Sequence, residues 1–189
     1  MRAKSHRNLG ILLADRYFPG IPPLYRSAFL LGCTQPDQNP ATYLKGSLRC
    51  QWLRGHNYEN ARRFLSRITL RLENKDRLGL WDYYTAGKLI HYTEDAFTYA
   101  HNTVFQGGIP LHRAYEARLQ ICFLRFLEEG PPLPASADGT LAELIRAQHR
   151  RYLELCGKPE TDCRFVFCVC CQIARHLSEK NIPVRPQCL

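Results

Sequence analysis

Apolar side chains recur at helical spacing along most of this chain, and loops rich in proline and glycine separate each such stretch from the next. In the first stretch, Leu9, Leu12 and Leu13 fall on one helix face, and Ser5 precedes them as a suitable N-cap. No segment shows the strict alternation of apolar and polar residues that is typical of a half-buried strand, and no internal repeat is present. The pattern therefore predicts an all-α bundle of five to seven helices.

The predicted helices end at clusters of proline and glycine, such as the segment 130–134. They cover residues 6–17, 24–31, 57–72, 81–101, 111–129, 140–155 and 161–179. Residues 32–40 are predicted to form a loop that carries Asp37, because a glycine and two prolines interrupt the helical pattern there. A chain of 189 residues is long enough to bury its own core, so residues 1–189 are predicted to form a single domain.

Composition and charge limit where the protein works and what it binds. No apolar run approaches the roughly 20 residues of a membrane-spanning helix. Asp15 and Arg16 interrupt the short apolar part of the basic N-terminal segment, and no small-residue cleavage site follows it. We therefore predict a cytoplasmic protein without a secretion signal or a transmembrane segment. A formal net charge of +9 favours anionic partners, namely phosphates, nucleic acid or an anionic membrane in peripheral contact. The charge does not choose among these partners, and the oligomeric state is left open.

Four of the nine cysteines cluster at Cys163, Cys168, Cys170 and Cys171, within an apolar run. Thiols in a reducing cytoplasm are expected to stay free. The cluster lacks the paired C-x2-C spacing of structural zinc sites, so it is interpreted as core packing rather than as a metal site.

The segment from His91 to Glu116 concentrates good metal ligands within 26 residues. On a helix, residues four apart share a face, so His91 with Asp95 and His112 with Glu116 form two chelating pairs. Zinc accepts both imidazole nitrogen and carboxylate oxygen. One such pair often arises by chance on a solvated helix. Two pairs with His101 between them, in a chain of seven histidines, favour a metal site.

The central helix alone is not expected to bring these ligands to one ion. Asp95 lies about 40° around the helix from His91, whereas His101 lies about 80° to the other side and two to three turns further along. His101 is therefore expected to serve a second metal ion.

Taken with further motifs, this segment resembles the zinc-dependent phospholipase C and S1/P1 nuclease superfamily, and its phospholipase C-like branch in particular. The resemblance covers residues 1 to about 120 by motif. It consists of His6 in the first helix, Gly32, Asp37, Asn39 and Pro40, then His56, the motif H-Y-x-x-D-x5-H from His91 to His101, and the motif H-x-x-Y-E from His112 to Glu116.

The resemblance implies an all-helical enzyme with two or three zinc ions per chain. It implies three groups of ligands: Asp37, His56, His91 and Asp95 for the first ion; His101, His112 and Glu116 for the second; and His6, a bridging Asp95 and the amino nitrogen and carbonyl oxygen of Met1 for the third. Family members commonly have a proline where Ala100 stands, which predicts a straighter end of the long helix here.

The same resemblance implies hydrolysis of a phosphate ester, either a phospholipid or a nucleotide. A metal-bound hydroxide would attack phosphorus in line, with Asp37 as the catalytic residue that orients or deprotonates the water. Gln38 and Leu53 stand where the phospholipase branch uses aromatic residues to bind choline, so a preference for phosphatidylcholine is not expected. The alternatives are an S1/P1-like nuclease or nucleotidase, and a non-catalytic helical protein that binds metal or a membrane surface.

Two interpretations are considered for several residues near the predicted ligands. Glu94 and Asn102 are expected either to support the ligands or to lie on the helix surface. Core positions are favoured over cleft positions for the aromatic side chains Tyr92, Phe97 and Tyr99. His149 and His176 lie outside the motifs and are interpreted as surface or structural histidines.

Overall fold

The computed structural model describes residues 1–44, 48, 55–136 and 138–180. Within these residues the chain forms seven α-helices and two short 3₁₀ segments, Pro40–Leu44 and Tyr99–His101, and no β-strand. The helices are α1 (Ala3–Tyr17), α2 (Pro23–Gln38), α3 (Tyr58–Glu73), α4 (Leu80–Ala96), α5 (Ile109–Glu128), α6 (Leu141–Leu155) and α7 (Pro159–Glu179). The predicted all-α fold is confirmed. The assignment of residues 1–189 to one domain stays a prediction, because the last nine residues lie outside the described part.

Helix α4 lies at the centre of the fold and packs against α1, α2, α3 and α7. Almost every residue from Asp82 to Ala96 is buried. A helix that is buried on all sides must be surrounded by other helices, which supply the partners for its polar side chains. The central position of α4 therefore brings His91 and Asp95 into the interior.

Two glycines allow α2 and α4 to approach closely. A Cβ atom added at Gly32 would overlap the carbonyl oxygen of Tyr84, and one added at Gly87 would overlap the carbonyl oxygen of Phe29. No larger side chain fits between the two backbones at this crossing. The contact sets the position of α2, whose last turn carries Asp37, relative to α4.

The loop predicted for residues 32–40 is wrong over most of its length, because α2 continues to Gln38. The packing of α2 against α4 overrides the low helix propensity of the glycine and proline residues. The hydroxyl of Thr42 lies 2.6 Å from the carbonyl oxygens of both Pro36 and Asn39 and so satisfies the end of the helix. Asp37 consequently stands on a helix and not in a loop.

The long helix predicted for residues 81–101 is also wrong at its end, because α4 stops at Ala96. The side-chain amide of Asn102 donates to the carbonyl oxygens of Ala96 and Thr98, at 3.0 Å and 2.8 Å. The hydroxyl of Thr98 donates to the carbonyl oxygen of Glu94 at 2.9 Å. These side chains replace helical hydrogen bonds, and the straighter end expected from Ala100 is wrong for the same reason.

The remaining predicted helix bounds agree with the structure to within three residues. Helix α6 begins with a capping box. The Thr140 hydroxyl accepts from the backbone N–H of Glu143, and the Glu143 carboxylate accepts from the backbone N–H of Thr140. Pro159 occupies the first turn of α7, where a missing N–H is harmless. Within the described part of the chain, none of the helices combines the length and apolar character needed to cross a bilayer.

Three of the four clustered cysteines pack into the core, as predicted, and Cys168 is half-buried. Cys163, Cys170 and Cys171 are buried on α7, and every described cysteine is free. The Sγ atom of Cys163 lies 3.6 Å from that of Cys122 on α5. Cys50 and Cys188 lie outside the described residues. So does Leu53, which stands where the phospholipase branch uses an aromatic residue to bind choline.

The close contact of α2 and α4 makes Gly87 sensitive to substitution. We expect Gly87→Ala to lower the free energy of unfolding by about 3 kcal/mol, because the added methyl group forces the two backbones apart. Chemical denaturation followed by circular dichroism measures this loss.

Gly79→Ala is the matched control. Its added Cβ meets only the Asp82 carboxylate, at 3.7 Å, which is an ordinary contact. We expect this variant to lose no more than about 1 kcal/mol, as is usual for N-cap positions. Equal losses of unfolding free energy in the two variants would show that the close contact of α2 and α4 does not make Gly87 unusually sensitive.

Candidate metal centre

The nine predicted ligand residues converge on one site. They come from the N-terminal residue, from helices α1, α2, α4 and α5, from the 3₁₀ segment at residues 99–101 and from the residues just before α3. The set comprises Met1, His6, Asp37, His56, His91, Asp95, His101, His112 and Glu116. Their division among individual ions stays a prediction.

The first group of ligands surrounds the fully buried Asp95. His6, Asp37, His91 and Asp95 each offer one ligand atom, and these four atoms lie within 4.8 Å of one another. The Nε2 atom of His91 is 3.3 Å from Asp95 Oδ2 and 3.6 Å from Asp37 Oδ1. His56 joins this group, since its Nδ1 atom lies 2.8 Å from Asp95 Oδ2 and 3.2 Å from His91 Nε2.

The second group lies at the start of α5 and consists of His101, His112 and Glu116. The Oε1 atom of Glu116 is 3.0 Å from His101 Nε2 and 3.4 Å from His112 Nε2. His112 and Glu116 are four residues apart on α5, so the predicted chelating pair forms. His101 reaches the pair because the chain leaves α4 at Ala96 and turns through the 3₁₀ segment.

The amino nitrogen of Met1 lies between the two groups. It is 2.6 Å from Asp95 Oδ1, 3.2 Å from His101 Nε2 and 3.3 Å from Glu116 Oε1. Burial alone would lower the pKa of this amino group, but the negative charges of Asp95, Glu116 and Asp37 outweigh burial and raise the pKa to about 11. The position of the nitrogen between the two groups is one that an amine ligand to a metal ion would take after loss of its proton.

The donor atoms fit a metal such as zinc. The Nδ1 atom of His91 lies 2.9 Å from the carbonyl oxygen of Cys33, which leaves Nε2 free to bind a metal. Likewise, Nε2 of His56 lies 3.0 Å from the Thr42 hydroxyl, so Nδ1 faces Asp95. Among the described residues, both ring nitrogens of His6 are buried without a hydrogen-bond partner. Buried nitrogens in this condition are expected of ligands whose partner is an ion.

Glu94 is buried and belongs to the site. Its Oε2 atom lies 3.1 Å from Nδ1 of His6, in an orientation outside hydrogen-bond geometry. Burial raises the pKa of Glu94 well above its usual value, and burial lowers that of His6. The outer nitrogen of a ligating histidine usually has a carboxyl or carbonyl partner, and Glu94 stands at that place beside His6. The sequence left the placement of Glu94 open, and the structure excludes the helix surface.

The carboxylates of the site differ in accessibility. Burial would raise the pKa of Asp95, but the Met1 ammonium and the imidazoles of His101 and His91 hold it well below its usual value. In contrast, burial and the charge of Asp95 raise the pKa of Asp37, whose side chain is 20% exposed. Asp37 is therefore the carboxylate of the first group that solvent can reach.

An open cavity of about 740 Å³ leads to the site. Asp37, His56, His101, His112 and Glu116 line it, together with Met1. The rest of the described lining comes from Arg2, Ala3, Tyr43, Asn57, Gly107, Gly108, Ile109 and Arg113. The cavity is wide enough for a small organic ester to reach both groups of ligands.

Asp162 on α7 holds the second group in place, and no motif in the sequence indicated this role. Its Oδ2 atom accepts from the backbone N–H of Tyr99 at 2.9 Å and from the Tyr115 hydroxyl at 2.8 Å. Its Oδ1 atom accepts from the Tyr152 hydroxyl at 2.7 Å. Tyr99 belongs to the 3₁₀ segment of His101, and Tyr115 precedes Glu116. Asp162 therefore ties together two segments that carry metal ligands, although burial raises its own pKa to about 6.

Asn102 supports the same segment from the other side. It is buried, and its Oδ1 atom lies 2.8 Å from Nε2 of His149 on α6. The His149 ring stacks on Tyr58, with ring centroids 3.5 Å apart. His149 is thus a structural histidine with its partners satisfied, as predicted. Of the three aromatic residues assigned to the core, Tyr92 and Phe97 are buried, and Tyr99 is half-buried against the core.

A helical fold with a buried cluster of histidines and carboxylates below an open cavity is typical of metalloproteins that work on small substrates. The model of the family described as zinc dependent phospholipase C matches residues 5–166. The chain therefore belongs to the zinc-dependent phospholipase C family. No curated protein matches the chain, and no solved structure matches it either.

The position of Asp162 leads to a prediction about zinc binding. We expect Asp162→Ala to lower the free energy of unfolding by about 3 kcal/mol, because it leaves an N–H and two hydroxyl donors buried without an acceptor. We also expect roughly tenfold weaker zinc binding, which is typical when the support of a ligand is removed. Denaturation and calorimetric zinc titration measure the two effects.

Tyr152→Phe is the control, since it removes one hydrogen bond to Asp162 and leaves both ligand-bearing segments attached. It is expected to cost about 1 kcal/mol of stability and to leave zinc affinity unchanged. Asp162→Ala could instead lose stability while its zinc affinity stayed equal to that of Tyr152→Phe. That result would show that Asp162 stabilises the fold and has no role in zinc binding.

Proposed function

We propose that the protein is a zinc-dependent phosphodiesterase of the phospholipase C type. The observation that supports this proposal most directly is the convergence of nine ligand residues, six of which line one accessible cavity. Membership of the zinc-dependent phospholipase C family supports the coarser statement, a zinc-dependent phosphoesterase. Zinc ions held by these residues would lower the pKa of a water molecule and neutralise charge on a phosphoryl group.

Asp37 is proposed as the residue that handles the proton of the attacking water. Its carboxylate faces three imidazoles, at 3.7 Å from His6, 3.7 Å from His56 and 3.6 Å from His91. It is also partly exposed to the cavity, whereas Asp95 is fully enclosed. This partial exposure lets the Asp37 carboxylate reach a water molecule in the cavity, as a general base must.

The cavity walls bear on the choice of substrate. The described lining residues include Tyr43 but no phenylalanine, tryptophan or second tyrosine. The Tyr43 ring stacks on His56 with centroids 4.6 Å apart. A trimethylammonium group is usually bound by several such rings. This supports a phosphate ester other than phosphatidylcholine. A cytoplasmic location and peripheral contact with an anionic membrane remain predictions.

The activity is tested by loading the protein with zinc and offering three substrates, namely an aryl phosphodiester, phospholipid micelles and single-stranded DNA. We expect turnover of the aryl diester and of phospholipid, and its loss when a chelator removes zinc. Asp37→Asn is expected to lower kcat by roughly 10²-fold or more, as is usual for the loss of a general base.

Asp15→Asn is the control for charge, because Asp15 is an exposed aspartate that pairs with Arg26 away from the cavity. It should leave turnover unchanged. Hydrolysis of DNA alone would favour the nuclease alternative. Zinc binding without turnover of any of the three substrates would leave a non-catalytic metal-binding protein.

We also propose that Met1 supplies an amine ligand to a zinc ion when it is the native first residue. Its nitrogen lies within 3.3 Å of Asp95, His101 and Glu116. A short peptide placed before Met1 turns the amine into an amide, which is a poor ligand. We expect the extended protein to hold one zinc ion fewer per chain, as measured by elemental analysis.

Intact mass measurement of the native protein is needed beside this comparison. A chain that begins at Arg2 and still holds its full complement of zinc would contradict the role of Met1. So would an extended protein with unchanged zinc content. An extended protein that has lost all its zinc would instead point to a misfolded N-terminal segment, which circular dichroism distinguishes.

A further inference from the structure

Two arginines stand at the wall of the cavity beside the metal ligands. Arg2 follows Met1, and Arg113 follows His112, and both line the cavity with exposed side chains. The Nη2 atom of Arg2 donates to the carbonyl oxygen of Arg113 at 3.3 Å. This bond joins the N-terminal residues to the start of α5 and brings the two arginine residues together on one side of the opening.

Neither guanidinium forms an ion pair with a described residue. Within the described residues, the arginine ion pairs are those of Arg26, Arg62 and Arg71. Arg2 and Arg113 are also the charged residues of the described cavity lining that do not belong to the ligand set. The carboxylates of the cavity, Asp37 and Glu116, face the histidines of the cluster. Among the described residues, the wall beside the cluster therefore carries two guanidinium groups without an acidic partner.

We propose that Arg2 and Arg113 form a second anion-binding subsite, and that the preferred substrate carries a phosphomonoester group in addition to its scissile phosphodiester. The inference rests on the proposed function, since it concerns the substrate of the same cavity. Guanidinium groups bind phosphate through paired hydrogen bonds, and a dianionic phosphate has oxygens enough for two of them. A headgroup that ends in a quaternary ammonium would meet two like charges there and be disfavoured.

Two kinds of molecule offer this chemistry, a phospholipid with a phosphorylated headgroup and a nucleotide with two phosphates. The test uses a matched pair for each. The lipid pair is short-chain phosphatidylglycerol and short-chain phosphatidylglycerol phosphate, both below their micelle concentrations. The nucleotide pair is an aryl ester of a nucleoside monophosphate, with and without a further phosphate on the sugar. The pair with the larger ratio identifies the source.

The measured quantity is the ratio of kcat/KM between the two members of a pair, on the zinc-loaded protein. We expect the extra phosphate to raise kcat/KM about tenfold in the wild type, and Arg2→Gln or Arg113→Gln each to lower this ratio about threefold, as for charge-assisted hydrogen bonds at a partly exposed site. Arg113→Lys keeps the charge and should retain a ratio above that of Arg113→Gln.

Arg125→Gln is the matched control, because Arg125 is an exposed arginine on the same helix, about 18 Å further along. It should leave the ratio unchanged. A ratio near one in the wild type for both pairs would overturn the inference. A ratio that stays at its wild-type value in both glutamine variants, or one that falls equally in Arg125→Gln, would also overturn it.

Equilibrium binding separates this inference from the proposed function. Phosphonate analogues of the same pairs resist hydrolysis, and calorimetry gives their dissociation constants for each variant. If the protein hydrolyses none of the substrates but binds the phosphonate with the extra phosphate more tightly through both arginines, the proposed function fails and the subsite stands. If it hydrolyses the singly charged substrates and the arginines change neither ratio, the subsite fails and the proposed function stands.

Discussion

The buried carboxylate of Asp95 is the group around which the site is organised. An ionised carboxylate without exposure is costly unless charges and hydrogen-bonding groups surround it. Here the surrounding groups are the amino nitrogen of Met1 and the ring nitrogens of four histidines, from five separate segments of the chain. The need to compensate one charge thus fixes the relative positions of the N-terminus, α1, α4, the 3₁₀ segment at residues 99–101 and the residues before α3.

Helices α6 and α7, which follow the ligand motifs in the sequence, hold these segments in position. Asp162 on α7 and His149 on α6 carry no ligand atom of the predicted site, yet they fix the 3₁₀ segment of His101 through Tyr99 and Asn102. The family match extends to residue 166 and therefore takes in both residues, although the last ligand motif ends at Glu116. A ligand set placed to within a few tenths of an ångström requires such support, because metal affinity falls when a ligand is held loosely.

Local patterns in the sequence predicted the helices and the two chelating pairs, because both depend on the period of a single helix. They failed where contacts outside the helical period decide the backbone. The close approach of Gly32 to α4 keeps residues 32–38 helical, and the side chain of Asn102 ends α4 at Ala96. The buried position of Glu94 and the role of Asp162 likewise depend on which helices meet. The resemblance to a family named the ligands, and the structure brings all of them together.

The distribution of charge bears on how the proposed phosphodiesterase, with the proposed arginine subsite, would treat two phosphates in one cavity. The floor offers imidazoles and carboxylates, which bind a metal ion and have little affinity for a phosphate by themselves. The wall offers guanidinium groups, which bind a phosphate directly without polarising its ester bond. A phosphodiester at the floor would therefore be activated, whereas a phosphate at the wall would only be held. The net charge of +9 alone left the anionic partner undefined, and the proposed subsite would assign two of the positive charges to the binding of a phosphate.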